Sequence, residues 1–335
     1  MKLPTPKWWY VRSGAPAPVT RALLTPISWI WAWATARRMA RATPVDPGAP
    51  VICVGNLTAG GTGKTPVVRE LLTILRSHGV AAHGLSRGYG GRLKGPLQVD
   101  AQRHTAADVG DEPLMMAMDG PMWISADRAA GAKAAVAQGA QALVMDDGHQ
   151  NPALKKAFSF VVVDGETRDG EWPLGDGSVF PAGPLREPLA VGLARADAVI
   201  IVLPEDLPEP DPELLAMFPG KPILRVRITP VSPPPTGPQL GFAGIGKPWK
   251  VERALKAAGC QLVEFANFPD HVAYSEDVLK RLAETAAHHG AGLVTTEKDW
   301  VRLPPAWRDR ITAWPIRARF EAPADLAKLL DGLGL

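Results

Sequence analysis

The sequence predicts an α/β fold: a mostly parallel sheet flanked by helices, a smaller second α/β portion, and an amphipathic helix at the amino terminus. Three observations carry this. From Pro50 onward, short apolar runs of strand length alternate with longer stretches of helical periodicity. The proline-rich residues 230–238 divide that alternation in two. The amino-terminal region is compositionally separate, crowding Trp8, Trp9, Trp29, Trp31 and Trp33 among Lys2, Lys7, Arg12, Arg21, Arg37, Arg38 and Arg41. The expected organisation is a membrane-interface helix region over residues 1–45, a core over 46–229, a linker over 230–238, and a C-terminal α/β portion over 239–335.

Apolar runs place strands at residues 51–54, 80–85, 122–125, 142–145, 160–163, 198–202 and 223–228. After the linker they recur at 239–243, 261–265 and 292–295. Helical periodicity places helices at 66–78, 112–118, 127–138, 248–258, 275–288 and 322–333. No internal repeat of solenoid period is present. The chain has 335 residues, 46% hydrophobic and 21% charged, which excludes a disordered class. A net charge of +3 does not imply nucleic acid, and nothing implies an oligomer. Two cysteines, Cys53 and Cys260, form neither a disulfide framework nor a zinc pattern, which fits a reducing cytosol. Cys53 reads as core packing.

The apolar stretch 22–36 is broken by Pro26 and falls short of the ~20 residues that span a bilayer. Indoles and arginines together suit a helix lying in the membrane interface. The other reading is a helix packed on the protein's own core. Ala32-Trp33-Ala34 resembles a signal cleavage site, but the basic run after it opposes export.

Thr58-Ala59-Gly60-Gly61-Thr62-Gly63-Lys64-Thr65 follows an apolar strand and precedes a helix read as opening at Pro66. In that context glycines let the backbone approach phosphate, amides point inward, and the helix terminus adds positive potential. This makes the fold P-loop NTPase-like and ATP with Mg2+ the expected cofactors. Lys64 is placed to reach the β- and γ-phosphates, and Thr65 to offer its hydroxyl to Mg2+. Threonine stands at 58 where the common motif has glycine. A second element, Asp146-Asp147-Gly148-His149-Gln150, ends the strand at 142–145. Beside a P-loop its acids read as metal ligands; without one, Asp-Asp-Gly reads as a solvated turn.

These blocks, in this order, resemble the tetraacyldisaccharide 4′-kinases of lipid A assembly. The resemblance runs through almost the whole chain. It includes Val54-Gly55-Asn56-Leu57, Ser86-Arg87-Gly88-Tyr89-Gly90, Val109-Gly110-Asp111-Glu112-Pro113 and Phe180-Pro181-Ala182-Gly183-Pro184-Leu185-Arg186-Glu187. Phe242-Ala243-Gly244-Ile245-Gly246, Phe268-Pro269-Asp270-His271 and Thr295-Thr296-Glu297-Lys298-Asp299 follow. The resemblance implies transfer of the ATP γ-phosphoryl group to the 4′-hydroxyl of a lipid disaccharide 1-phosphate at the inner face of the inner membrane. It also implies Asp111 as the catalytic acid residue and His271 as its partner.

A sugar hydroxyl holds its proton far above neutrality, so a carboxylate within reach is suited to take it as the bond to phosphorus forms. The competing reading of Asp111 is a helix N-cap before Glu112-Pro113. Taken alone, His271 reads as a surface or core histidine. Arg87 and Tyr89 sit in a glycine-framed loop that is either solvated or against the substrate, and Arg128 opens a helix as an ion-pair or phosphate residue. The resemblance tips these, with His149 and Gln150, towards substrate. Gly244-Ile245-Gly246 reads as a turn. The alternative function is a membrane-associated switch ATPase of deviant Walker A type, whose loop carries lysine where this chain has Ala59. A non-catalytic membrane module with a vestigial nucleotide fold is opposed by Lys64, Thr65, Asp146 and Asp147.

Overall fold

The computed structural model describes residues 6–12 and 17–334. Lys2 and the rest of residues 1–5 and 13–16 lie outside the described residues. The larger unit carries strands β1 (Val51–Gly55), β2 (Ala82–Ser86), β3 (Leu97–Gln98), β4 (Met122–Ile124), β5 (Ala142–Asp146), β6 (Phe158–Asp164), β7 (Ala198–Pro204) and β8 (Ile223–Pro230). The smaller carries β9 (Pro238–Ala243), β10 (Gln261–Asn267), β11 (Gly292–Thr296) and β12 (Thr312–Trp314), after which β13 (Ile316–Phe320) follows. The large sheet runs β13-β8-β7-β6-β1-β5-β2-β4-β3, parallel except at β13 and β3 on its edges.

β1 lies mid-sheet, and Val51, Ile52, Cys53 and Val54 are fully buried, as a strand covered on both faces requires. Cys53 is therefore core packing. The helix Lys64–Ser77 covers one face with Val67, Val68, Leu71, Leu72 and Leu75. It opens two residues before Pro66, with Gly63 as a left-handed N-cap. Pro66 still costs no helical hydrogen bond, because the first four amides of a helix have no partner within it.

The small sheet is wholly parallel, in the order β10-β9-β11-β12. Residues 231–237 connect it to the large sheet, and Val231 N–H bonds Pro315 C=O at 3.0 Å where the chain crosses back. Residues 239–335 are thus not one unit. β13 pairs antiparallel with β8, and Leu326 and Leu330 of the helix Pro323–Leu330 join the large unit's core. The sequence reading missed this return because β12 and β13 are short and separated only by Pro315.

The helix α1 (Pro18–Arg41) continues through Pro26 and docks by a polar seam. Its buried residues are Arg21, Ser28 and Thr35, spaced seven apart on one face. Ser28 Oγ donates to Val179 C=O at 2.8 Å. Leu23, Ile27, Trp29, Ile30 and Trp33 face outward, Leu23 and Trp29 remaining 72% and 70% exposed. The apolar surface is thus directed away from the protein's own core. Among the described residues no helix is long and apolar enough to cross a membrane.

Candidate active site

In a parallel sheet the loops leaving the carboxyl ends of the strands collect on one edge. Here that edge gathers the 58–63 loop after β1, Ser86–Gly90 after β2, Ser125–Arg128 after β4 and Asp146-Asp147 from β5. β5 lies directly beside β1, with Val54 opposite Asp146. The loop itself is held by its backbone. Ala59 N–H donates to Pro184 C=O at 2.7 Å, and Asn56 Nδ2 donates to Thr58 C=O at 2.8 Å. Gly60 and Gly63 take positive φ, where a β-carbon would be strained.

Lys64 Nζ lies 3.6 Å from Asp147 Oδ1, and Arg186 Nη1 donates to the same oxygen at 2.7 Å. Burial favours the protonated form of Asp147, but Lys64 and Arg186 outweigh it and hold the carboxyl at about 2. Asp146 behaves oppositely. Burial, then Glu112, raises its pKa against the pull of Lys64. Its Oδ1 is buried without a hydrogen-bond partner among the described residues. A buried, unspent carboxylate oxygen suits a cation. With the Thr65 hydroxyl and Asp147, this donor set fits Mg2+, which usually keeps one or two carboxylates and takes its other ligands from phosphate and water. No group of three or more His, Cys, Asp or Glu among the described residues forms a metal cage of its own.

Asp111 does not cap its helix. It is the first residue of the helix Asp111–Ala117, Gly110 is the N-cap, and the carboxylate is turned to the neighbouring unit. Its Oδ2 lies 2.8 Å from His271 Nδ1 and 3.5 Å from Arg302 Nε. Glycines permit this approach. A β-carbon on Gly110 would fall 2.5 Å from Tyr89 C=O, and one on Gly91 would fall 2.6 Å from Asp108 C=O. The 86–91 loop therefore packs backbone to backbone against the turn that carries Asp111. Burial would raise the Asp111 pKa, but His271, Lys298 and Arg302 overcome it and hold the group at about 2.

His271 comes from the turn after β10 and has a left-handed backbone, with φ of 58°. Its N–H bonds Gly244 C=O at 3.2 Å. Arg302 braces the turn by donating to Val272 C=O at 3.0 Å and to Gly244 C=O at 2.8 Å. The fully buried Asp299 accepts from Gly244 N–H, Tyr274 Oη and Arg302. Gly244-Ile245-Gly246 is thus a turn, and a β-carbon on Gly246 would sit 3.4 Å from Gly61 N. The smaller unit closes over the 58–63 loop there. Lys298 spans the same cleft, 2.9 Å from Glu112 and 3.5 Å from Asp270.

The ring of Tyr89 meets that of His271 edge to face at 5.8 Å, and Arg87 is exposed at the same rim. Arg128 is buried. Its Nη1 bonds Ser125 C=O, while its Nε has no partner among the described residues. Burial, then Arg87, lowers its pKa to about 10. Such a guanidinium is suited to an anion. Two expectations fail. His149 is fully enclosed, its Nε2–H donating to Gly192 C=O at 2.9 Å and its Nδ1 accepting from Ser159 Oγ at 3.1 Å. Burial first, outweighing the Gly192 bond, drops its pKa to about 4, so it is a neutral core residue rather than a substrate contact. Gln150 spends its amide internally, donating to Asn56 C=O at 2.9 Å and Glu187 at 3.0 Å and accepting from Arg186 at 3.4 Å. It braces Arg186 instead of facing a ligand. Arg186, Arg302, Lys298 and Glu112 were missed as site residues, although Arg186, Lys298 and Glu112 lie within the blocks quoted above and Arg302 lies three residues past one of them.

The family model described as tetraacyldisaccharide-1-P 4′-kinase (LpxK) matches residues 20–334. A tetraacyldisaccharide 4′-kinase of Caulobacter vibrioides is 72% identical over 100% of both chains, and one of Maricaulis maris is 51% identical over 97% of this chain and 95% of its own. The chain is also similar to the crystal structure of LpxK from Aquifex aeolicus in complex with ATP. That likeness has a TM-score of 0.75 and 26% identity, and covers 94% of this chain and 99% of the other.

Proposed function

The chain belongs to the tetraacyldisaccharide-1-P 4′-kinase family, and from that premise we propose that Asp111, oriented by His271, is the base for its phosphoryl transfer. The reaction moves the γ-phosphoryl group of ATP to the 4′-hydroxyl of tetraacyldisaccharide 1-phosphate, giving lipid IVA and ADP. Family membership replaces the switch-ATPase reading. The observation that supports the base assignment is the 2.8 Å contact between the two side chains, one from each unit, at the mouth where the smaller unit meets the phosphate loop.

The amides of residues 60–63 and Lys64 cradle the β- and γ-phosphates at the amino terminus of the helix Lys64–Ser77. Thr65, Asp146 and Asp147 are the residues that would hold Mg2+, whose bound charge offsets that of the phosphates. Arg186, fixed by Asp147 and Gln150, offers charge to the transferring group. As the 4′-oxygen bonds to γ-phosphorus and the bond to the β-phosphate oxygen breaks, Asp111 accepts the hydroxyl proton. His271 donates Nδ1–H to Oδ2 of that carboxylate while Glu112 N–H donates to Oδ1 at 2.9 Å, and the two bonds together fix its orientation. Arg128, Arg87 and Tyr89 line the acceptor side. The outward apolar face of α1, followed by Arg37, Arg38 and Arg41, would rest in the interface of the cytoplasmic leaflet and deliver the acylated substrate to the cleft.

The experiment is Mg2+-dependent transfer of labelled γ-phosphate from ATP to tetraacyldisaccharide 1-phosphate in detergent micelles, with Asp111→Asn beside the wild type. Transfer by the wild type that falls at least about 100-fold in the variant supports the assignment. Undiminished transfer by Asp111→Asn overturns it.

A further inference from the structure

The segment Lys7–Tyr10, which precedes α1, runs underneath the phosphate loop. Tyr10 Oη donates to Ala59 C=O, and a β-carbon at Gly60 would lie 3.0 Å from the same oxygen. We propose that Tyr10 is a positioning residue for nucleotide binding, fixing the peptide between Ala59 and Gly60 so that its amide is aimed at phosphate. The inference rests on the reading of residues 58–65 as the nucleotide loop.

The peptide unit is planar and trans, so its C=O and N–H point in opposite directions. Anchoring Ala59 C=O on the phenol therefore sets the direction of the Gly60 N–H. Glycine at 60 and 61 leaves these torsions soft, and an external anchor removes that freedom before ligand arrives. Thr58 C=O has its own anchors in Asn56 Nδ2 and in Arg186 Nε at 3.1 Å, and Ala59 N–H has Pro184. Tyr10 completes the set.

Tyr10 is itself held firmly. Val11 bridges Glu171, and Trp172 N–H bonds Tyr10 C=O at 2.7 Å. Lys247 Nζ lies 5.4 Å from the ring centroid and pairs with Glu171 at 2.7 Å and Asp164 at 3.1 Å. The smaller unit thus contributes to the same clamp. Burial raises the phenol's pKa to about 12, keeping the donor proton in place at neutral pH.

The test is calorimetric titration of the full chain with MgATP, followed by steady-state kinetics, for wild type, Tyr10→Phe and Arg12→Gln. Arg12 stacks on the Trp172 ring and pairs with Asp211 and Glu213 away from the loop, so its variant removes surface contacts while the backbone bonds that hold Tyr10 remain. Tyr10→Phe should weaken MgATP about fivefold, the value of one net hydrogen bond. KM for ATP should rise in step, with kcat and KM for the lipid acceptor unchanged, and Arg12→Gln should bind as wild type. Equal MgATP affinity in Tyr10→Phe, or an equal loss in Arg12→Gln, overturns the inference. A wild type that binds no MgATP overturns the nucleotide reading, and this inference with it.

Discussion

His271 Nδ1 stands 2.8 Å from Asp111 Oδ2, although 160 residues separate the two. One side chain comes from each unit, so the proposed base and its partner meet only across the contact between them. His271→Ala should therefore lower kcat by about 100-fold or more while the KM for ATP changes little, because the phosphate loop lies on other residues. A variant with unchanged kcat would mean that Asp111 needs no orienting partner.

Lys64 meets Asp147 at 3.6 Å, and Arg186 meets the same oxygen at 2.7 Å. The aspartate thus holds both cations side by side. Arg186→Ala is expected to lower kcat more than it raises KM for ATP, and Lys64→Ala to abolish most turnover. Circular dichroism and Tm should stay near wild type in both, since neither side chain is part of the core. A cooperative loss of structure in either variant would contradict this.

Asp111 also links activity to acid stability. Its native carboxyl lies at about 2, below the ordinary range near 3.9, so the unfolded state binds its proton first as pH falls. The stabilisation is fully present above about pH 4 and disappears as pH drops towards 2. It amounts to about 2 to 3 kcal/mol in the linkage relation. Between pH 5 and 2.5 the wild type should lose more unfolding free energy than Asp111→Asn. Parallel slopes in denaturant titrations would refute the depressed carboxyl.

The nucleotide half of the site was legible in the sequence because its signals are local. A glycine-rich run between strand and helix, and an acid pair ending an apolar strand, depend on neighbours a few residues away. The partners of Asp111 were not legible in that way. From the smaller unit Arg302 reaches it and Lys298 reaches the adjacent Glu112, and single-sequence periodicity says nothing about which loops meet across a cleft. Resemblance supplied His271, but it also drew in His149 and Gln150. Those two belong to the block for packing reasons: Gly55 leaves room for His149, whose Cβ would lie 2.5 Å from a β-carbon there, and Gln150 ties Asn56 to Glu187. The short β13 escaped notice because its role, closing the edge of the first sheet, is a long-range pairing.

The polar seam of α1 faces inward, and its Leu23, Ile27, Trp29, Ile30 and Trp33 face solvent. Deleting the amino-terminal region would be a confounded test, because it removes Tyr10 along with the helix. Point substitutions separate the two. Converting Leu23, Trp29 and Trp33 to serine removes apolar area worth about 1.5 to 3 kcal/mol per side chain on transfer from water. Binding to vesicles containing anionic lipid should fall at least about 100-fold, while MgATP affinity and Tm stay at wild-type values because these side chains pack little against the protein. Co-sedimentation equal to wild type would show that α1 is not the membrane contact. A matching fall in Tm would instead mean that the exposed face is covered by protein, most simply a second copy of this chain.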